Sequence, residues 1–100
     1  MTEHDVLQAL HQVNDPEVGV NIVDLGLIYS TDITAGRVRI AMTMTTPACP
    51  MHSYLSEEVR AVILNELEEA RAVEVAIVWD PPWSPQMISA AGKRQLGWME

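Results

Sequence analysis

The stretch Thr45-Thr46-Pro47-Ala48-Cys49-Pro50-Met51-His52 holds the only thiol of the chain, with two hydroxyls before it and an imidazole three residues after it. Cys49 reads as the cap of a following helix and Pro50 as its first residue, because proline lacks the N–H that a first turn would leave unpaired. The free N–H groups and the positive end of the helix macrodipole then face the sulfur and favour the thiolate. An anionic sulfur in that place is a soft metal ligand or a nucleophile. The plain alternative is a small buried hydrophobe, as free cysteines often are.

If the thiolate works, four chemistries compete. Dithiol exchange needs a second sulfur three positions on, where His52 stands instead. A cysteine hydrolase needs a base and a group to orient it; His52 is in the right turn, but nothing in the sequence supplies the orienting partner or a sizeable cleft. A structural zinc site needs spaced ligand pairs, and one Cys with scattered His4, His11 and His52 does not make them. Labile metal or iron–sulfur handling remains. A cluster usually takes four protein ligands, so one thiolate cannot hold it permanently. It would be shared between two chains, completed by a partner or a small thiol, or held in passing. A homodimer is the expectation that this ligand shortage motivates. His52 is a candidate second metal ligand beside Cys49, its alternative being an exposed, unligated histidine. His4 and His11 read as solvated.

These residues need elements to position them. Thr2-Glu3-His4-Asp5 resembles a capping box, and Val6, Leu7, Leu10 and Val13 recur on one helical face, which predicts a first helix stopping at Asn14-Asp15-Pro16. Glu17 to Gly26 reads as a loop, with Asp24 a turn-forming carboxylate. Leu27 to Thr34 and Arg37 to Thr45 read as strands joined by Ala35-Gly36 in a hairpin, the second alternating Val38, Ile40, Met42 and Met44 against polar residues. A second helix places Met51, Leu55, Val59, Val62, Ile63 and Leu67 on one stripe and Glu57, Glu58, Arg60, Glu66, Glu68 and Glu69 outward, the acidic side being a solvated surface. Val73, Val75, Ile77 and Trp79 alternate as a third strand, whose neighbour in the sheet the pattern leaves open. Prolines at 81, 82 and 85 bar a central strand beyond it. Ser84 and Pro85 then start a short helix from Gln86 to Ala91 that Gly92 ends. The order helix, strand, strand, helix, strand, short helix predicts a two-layer α/β sandwich.

With 100 residues, 48% of them hydrophobic and 20% charged, residues 1–100 read as a single domain with one core. So short a chain has no room for a second lobe around a large substrate. The formal charge of −8 opposes phosphate backbones and anionic lipid, which argues against nucleic acid as a partner. The first residues lack a basic start and an apolar run, and no stretch approaches the roughly 18 apolar residues of a membrane span. A single cysteine fits a reducing compartment, so a cytoplasmic location is expected.

Three motifs in order carry a family resemblance: Asp15-Pro16-Glu17-Val18-Gly19-Val20-Asn21-Ile22-Val23-Asp24-Leu25-Gly26-Leu27-Ile28-Tyr29, then Met42-Thr43-Met44-Thr45-Thr46-Pro47-Ala48-Cys49-Pro50, then Trp79-Asp80-Pro81-Pro82-Trp83-Ser84-Pro85. From about Val13 to Trp98 the chain resembles the SufT/PaaD-like (MIP-eighteen) family of iron–sulfur cluster assembly proteins. The resemblance implies a small α/β domain that serves maturation of iron–sulfur proteins rather than turnover of a metabolite. It implies that Cys49 is the reactive cysteine, that Thr45 and Thr46 are the paired threonines before it, and that Asp15 and Glu17 are acidic residues flanking the same site. The implied cargo is an iron–sulfur cluster or iron, bound transiently, and the implied partners are the assembly machinery and client apoproteins. The chain lacks the extra cysteines that PaaD-like members tend to carry, which argues against the oxygenase-accessory subtype without deciding between it and general maturation. Two other classes stay open: a small thiol-dependent hydrolase or transferase using Cys49 with His52, and a pure adaptor with a structural cysteine. Trp79, Trp83 and Trp98 read as packing of the tail over the sheet, with a partner contact as the alternative if Trp83 is exposed.

Overall fold

A computed structural model describes residues 1–16, 18–45 and 52–97, with His52 described in its backbone only. The capping box forms as expected: Asp5 N–H donates to Thr2 Oγ1 at 3.2 Å and Thr2 N–H donates to Asp5 Oδ2 at 2.9 Å. The Thr2 backbone bond also holds the Asp5 carboxyl below the ordinary carboxylate range. Helix α1 (Glu3–Leu10) buries Val6, Ala9 and Leu10. It ends sooner than Asn14, because the backbone past Leu10 is drawn into a different ladder. Ile22 N–H donates to the Val13 carbonyl at 2.9 Å, Asp15 N–H donates to that of Val20 at 3.0 Å, and Asn14 bridges Asn21 antiparallel. Gly19, at φ +82°, turns the chain between the two limbs. Val13, Val20 and Ile22 all reach the core from this loop.

β1 (Ile28–Thr34) and β2 (Arg37–Met42) pair antiparallel, with Thr34 opposite Arg37. Both turn residues take positive φ, Ala35 at 50° and Gly36 at 83°, the requirement of a two-residue turn whose twist suits the strands. Val38, Ile40 and Met42 are buried, while Arg37 and Arg39 face solvent on the other side. β2 stops at Met42, three residues earlier than the alternation suggested.

Helix α2 (His52–Glu66) and β3 (Ala72–Ile77) complete the unit. β3 lies beside β2 and parallel to it, Arg37 opposite Ala72 through Met42 opposite Ile77, so the sheet order is β1-β2-β3. This resolves the placement that pattern left open: a helical crossover carries the chain back to the starting end, where only parallel pairing is available. Leu55, Val59 and Ile63 are fully buried and Val62 and Leu67 pack at the core's margin, so α2 covers the sheet with the stripe expected. α1 and α2 lie on one face, giving the two-layer α/β sandwich.

The chain beyond β3 folds back over the loop before β1. Tyr29 Oη donates to the Pro81 carbonyl at 2.7 Å, and Trp83 Nε1 donates to that of Leu25 at 2.6 Å. One short helix was expected here; there are two pieces, a single 3₁₀ turn (Pro85–Met87) and then α3 (Ala90–Gln95) capped by Ser89. Ser84 makes no side-chain cap bond. Gly92 lies inside α3 rather than ending it, and is buried there. A Cβ at Gly92 would stand 2.8 Å from Ile88 Cγ2 and 3.0 Å from the Asp24 carbonyl, so the glycine serves close approach of helix to loop.

Candidate functional site

The connection from β2 to α2 leaves the sheet at the C-terminal ends of its two parallel strands. Strands of a crossover unit present their carboxyl ends, and the amino end of the helix between them, to the same side; open α/β sheets place ligands there. Thr45, half-buried, is the last described residue before the connection, and His52 opens α2 after it. The first turn of α2 holds no acidic residue, so its partial positive charge is not offset locally and favours an anion on the connection.

Of the six residues singled out in sequence, Asp15, Thr45 and the backbone of His52 are described. Glu17, Thr46 and Cys49 lie outside the described residues, as do the expected Cys49 cap, Pro50 at the first helical position, Met51 on the apolar stripe, and Trp98. Asp15 is about 1% exposed, one of few buried acidic or amide side chains. It stands at the mouth of the 15–20 loop, where its carbonyl accepts from Val18 N–H at 3.2 Å and Gly19 N–H at 2.7 Å. Burial so complete is unusual for a carboxylate that only stops a helix. Among the described residues, no three His, Cys, Asp or Glu side chains form a group able to hold a metal ion.

The turn from Asn21 to Asp24 is fixed by a network that sequence reading missed. Asp24 accepts from Asn21 Nδ2 at 2.7 Å and from Ser89 Oγ at 2.8 Å, while its own N–H donates to Asn21 Oδ1 at 2.9 Å. Burial is the largest influence on the Asp24 carboxyl and pushes its pKa up. The bonds from Asn21 and Ser89, with His11 nearby, outweigh it and leave the group below the ordinary Asp range. His11 Nε2 lies 4.0 Å from Asp24 Oδ1, and Nδ1 donates to the Leu7 carbonyl at 2.8 Å. His11 is thus oriented rather than merely solvated. The Asn21-x-x-Asp24 spacing was a visible turn signal, but nothing in sequence pointed to Ser89. Trp83 is half-buried and hydrogen-bonded, which is the packing role expected, whereas Trp79 is 45% exposed.

A recess of about 420 Å³, lined by Asp32, Thr34, Ala35, Arg37, Arg39 and Glu74, lies on the outer sheet face at the hairpin end. It is at the opposite end of β2 from Thr45 and holds a solvated Arg39–Glu74 pair at 3.4 Å.

The fold is a small α/β domain whose crossover unit runs from Thr45 to His52 through the sequence segment that carries the one thiol. A family model described as "Iron-sulfur cluster assembly protein" matches residues 3–77. The "Fe-S protein maturation auxiliary factor YitW" of Bacillus subtilis is 42% identical over 96 residues, 95% of this chain and 93% of that one. An "Iron-sulfur cluster carrier protein" of Synechocystis is 30% identical over 97 residues, which are 97% of this chain but 26% of that protein. A crystal structure of a domain of unknown function, DUF59, from Bacillus anthracis superposes with a TM-score of 0.92 at 38% identity, covering 95% of this chain and 91% of that one. This chain belongs to the iron–sulfur cluster assembly protein family.

Proposed function

We propose that the chain is an accessory factor in iron–sulfur cluster assembly or transfer, which takes iron or a cluster as cargo on the Cys49 thiolate and releases it again. The observation that carries this is the siting of the one thiol. Cys49 falls on the connection from the C-terminal end of a parallel strand pair to a helix whose first turn holds no acid. The names of the relatives, a maturation auxiliary factor and a cluster carrier, support the same reading. A single thiolate grips iron without completing its coordination, and incomplete coordination suits delivery better than storage.

Thr45 and Thr46 serve as hydroxyl donors toward the sulfur or its cargo, Asp15 and Glu17 as the flanking carboxylates, and His52 as a second ligand to metal. The missing ligands come from a second copy, from a partner or from a small thiol. The chain is a carrier and not a metabolite-converting enzyme, and it works in the cytoplasm with the assembly machinery and client apoproteins. Tyr54, in the first turn of α2, and Trp79, just past β3, are 48% and 45% exposed. Both belong to the end of the fold where β2 and β3 finish and α2 begins, and aromatics are the usual anchors of a protein interface.

Anaerobic reconstitution with ferrous iron and sulfide, followed by addition of an apo-ferredoxin, tests the reading. Visible absorption is expected to appear on the wild-type chain and to move to the ferredoxin, and Cys49→Ala should give neither. Thiol-dependent turnover of a substrate without any chromophore would instead support the hydrolase or transferase. Gel filtration with and without cargo reads the dimer.

A further inference from the structure

β3 closes one side of the sheet, and among the described residues no strand pairs with its outer edge. Its bonds to β2 decide which backbone groups face outward. Ile77 lies opposite Met42, and Val78 N–H donates to the Met42 carbonyl at 2.8 Å, so the even-numbered residues of this run turn toward β2. Val73, Val75 and Ile77 therefore present their N–H and C=O groups to the open side. Arg60 Nε, from α2, donates to the Val73 carbonyl at 3.3 Å on that side, and no other hydrogen bond reaches these groups among the described residues. The side chains of the same three residues are half-buried on the core face, whereas Val38, Ile40 and Met42 beside them on β2 are sealed.

An edge in this state invites pairing, and proteins guard such edges with bulges, charges, prolines or covering segments. The opposite edge has guards. β1 carries a register shift between Ile28 and Ser30, Tyr29 is tied to Pro81, and Thr31 Oγ1 donates to Glu3 Oε2 at 2.7 Å. β3 has an unbroken register, no proline and no lysine, and its one charged residue, Glu74, is paired with Arg39. With Arg60 paired to Glu57 on α2, the edge is close to neutral in a chain of net charge −8.

We propose that the outer edge of β3 is the docking surface for a second copy of this chain, joined by antiparallel β3–β3 pairing about a two-fold axis at Val75. The register is self-complementary. Val75 stands opposite Val75 of the second copy and Val73 opposite Ile77, so every outward N–H and C=O finds a partner; the Val73 carbonyl keeps a second lone pair beside the one Arg60 uses. Val73, Val75 and Ile77 of both copies then form one apolar row on the helix-bearing face. On the outer face Glu74 comes opposite Ala76, so no like charges meet directly, whereas a two-fold axis at Glu74 would set two carboxylates face to face. Ser30, Ala41 and Ala76 leave a recess of about 280 Å³ there, room for the longer Glu74 side chain of the second copy, and symmetry supplies this fit twice. The joint sheet runs β1-β2-β3-β3-β2-β1. Because the pairing is antiparallel, the carboxyl ends of β2 and β3 in the two copies point apart and are not brought together. The inference goes beyond the cargo reading and does not depend on it.

Sedimentation of the metal-free full chain across a dilution series, with amide hydrogen exchange read by NMR, tests it. Wild type is expected to dimerise, with exchange at Val73, Val75 and Ile77 slowing as the dimer forms. Val75→Pro removes an outward N–H and no bond to β2, so it should fold and stay monomeric. Ala76 is exposed, and its charge variants read the register. Ala76→Lys, facing Glu74 of the second copy, should tighten the dimer about threefold or more, and Ala76→Glu should weaken it by about as much. If Val75→Pro fails to fold, the Ala76 pair decides alone. A monomer at every concentration overturns the inference, as does a dimer that Val75→Pro leaves intact or that both Ala76 variants shift in the same direction. Fast exchange at the three amides within a dimer overturns it too. A monomer that loses transfer of the chromophore to an apo-ferredoxin in Val75→Pro would put a client strand on this edge in place of the second copy, and so overturns it as well.

Discussion

Ser89 Oγ donates to Asp24 Oδ1 at 2.8 Å, across 65 residues of sequence, and the Ser89 N–H donates to the Asp24 carbonyl at 2.7 Å. The start of α3 is thereby fastened twice to the turn that leads into β1. Ser89 Oγ also accepts from Gly92 N–H at 3.0 Å, so one hydroxyl both caps the helix and docks it. The turn it holds continues the loop that carries Asp15.

Because the folded state holds Asp24 below its unfolded pKa, the carboxylate's contribution is complete above about pH 4 and is lost as pH falls through the lower folded value. Asp24→Asn is expected to lower stability at pH 7 by about 1.5 to 3 kcal/mol, the range for hydrogen bonds to a charged group. It should also flatten the acid limb of the stability curve below about pH 4. Urea titrations at a series of pH values check both. His11, which faces the same carboxylate, makes His11→Ala the control for its share.

Gly92→Ala puts a methyl against Ile88 Cγ2 and the Asp24 carbonyl, where the backbone has little freedom to give. A loss of about 1 to 3 kcal/mol is expected, of the size that overpacking produces, against the small gain alanine brings to an open helix position. Thermal unfolding reads it as a fall of several degrees or more in Tm.

Leu55 and Ile63 are fully buried on the face of α2 that covers the sheet. Leu55→Ala and Ile63→Ala should each cost about 2 to 5 kcal/mol by loss of transfer energy and the cavity left behind. Leu64→Ala, at a site 41% exposed on the same helix, should stay within about 0.5 kcal/mol. The contrast in denaturation midpoints tests the orientation of α2.

Trp79→Ala and Tyr54→Ala are expected to leave unfolding nearly unchanged while slowing transfer of the chromophore to an apo-ferredoxin about tenfold or more, as truncation of an interface anchor does. Transfer at the wild-type rate in the double variant would remove these two residues from the docking surface.

Much of this architecture was legible in the sequence because period and punctuation agreed. The alternation from Val38 to Met42 and the stripe through Leu55, Val59 and Ile63 each describe one face buried against one neighbour, and Gly36 marked the turn between the first two strands. The ends of elements were less legible. Val13 keeps the helical spacing of α1 yet belongs to a loop ladder with Ile22, and Met44 keeps the alternation of β2 past its end. In both cases burial persists where the local hydrogen bonds have changed, and a hydrophobic pattern reports burial alone. Gly92 looked like a helix stop because its reason for being glycine is a contact with Asp24, 68 residues away. Of the candidate site, the thiol stood out by residue type and place, whereas Thr45, Thr46, Asp15 and Glu17 were assigned to it only through the family resemblance. The Asn21–Asp24–Ser89 network depends on tertiary approach and left no periodic trace.

The most direct measurement is iron bound per chain after anaerobic reconstitution and desalting, on wild type, Cys49→Ala and Cys49→Ser, before and after a chelator. Expected is iron with sulfide on the wild-type chain, stripped by the chelator, and loss of nearly all of it in Cys49→Ala. Equal iron and sulfide on wild type and Cys49→Ala would contradict the assignment of the cargo to that thiolate.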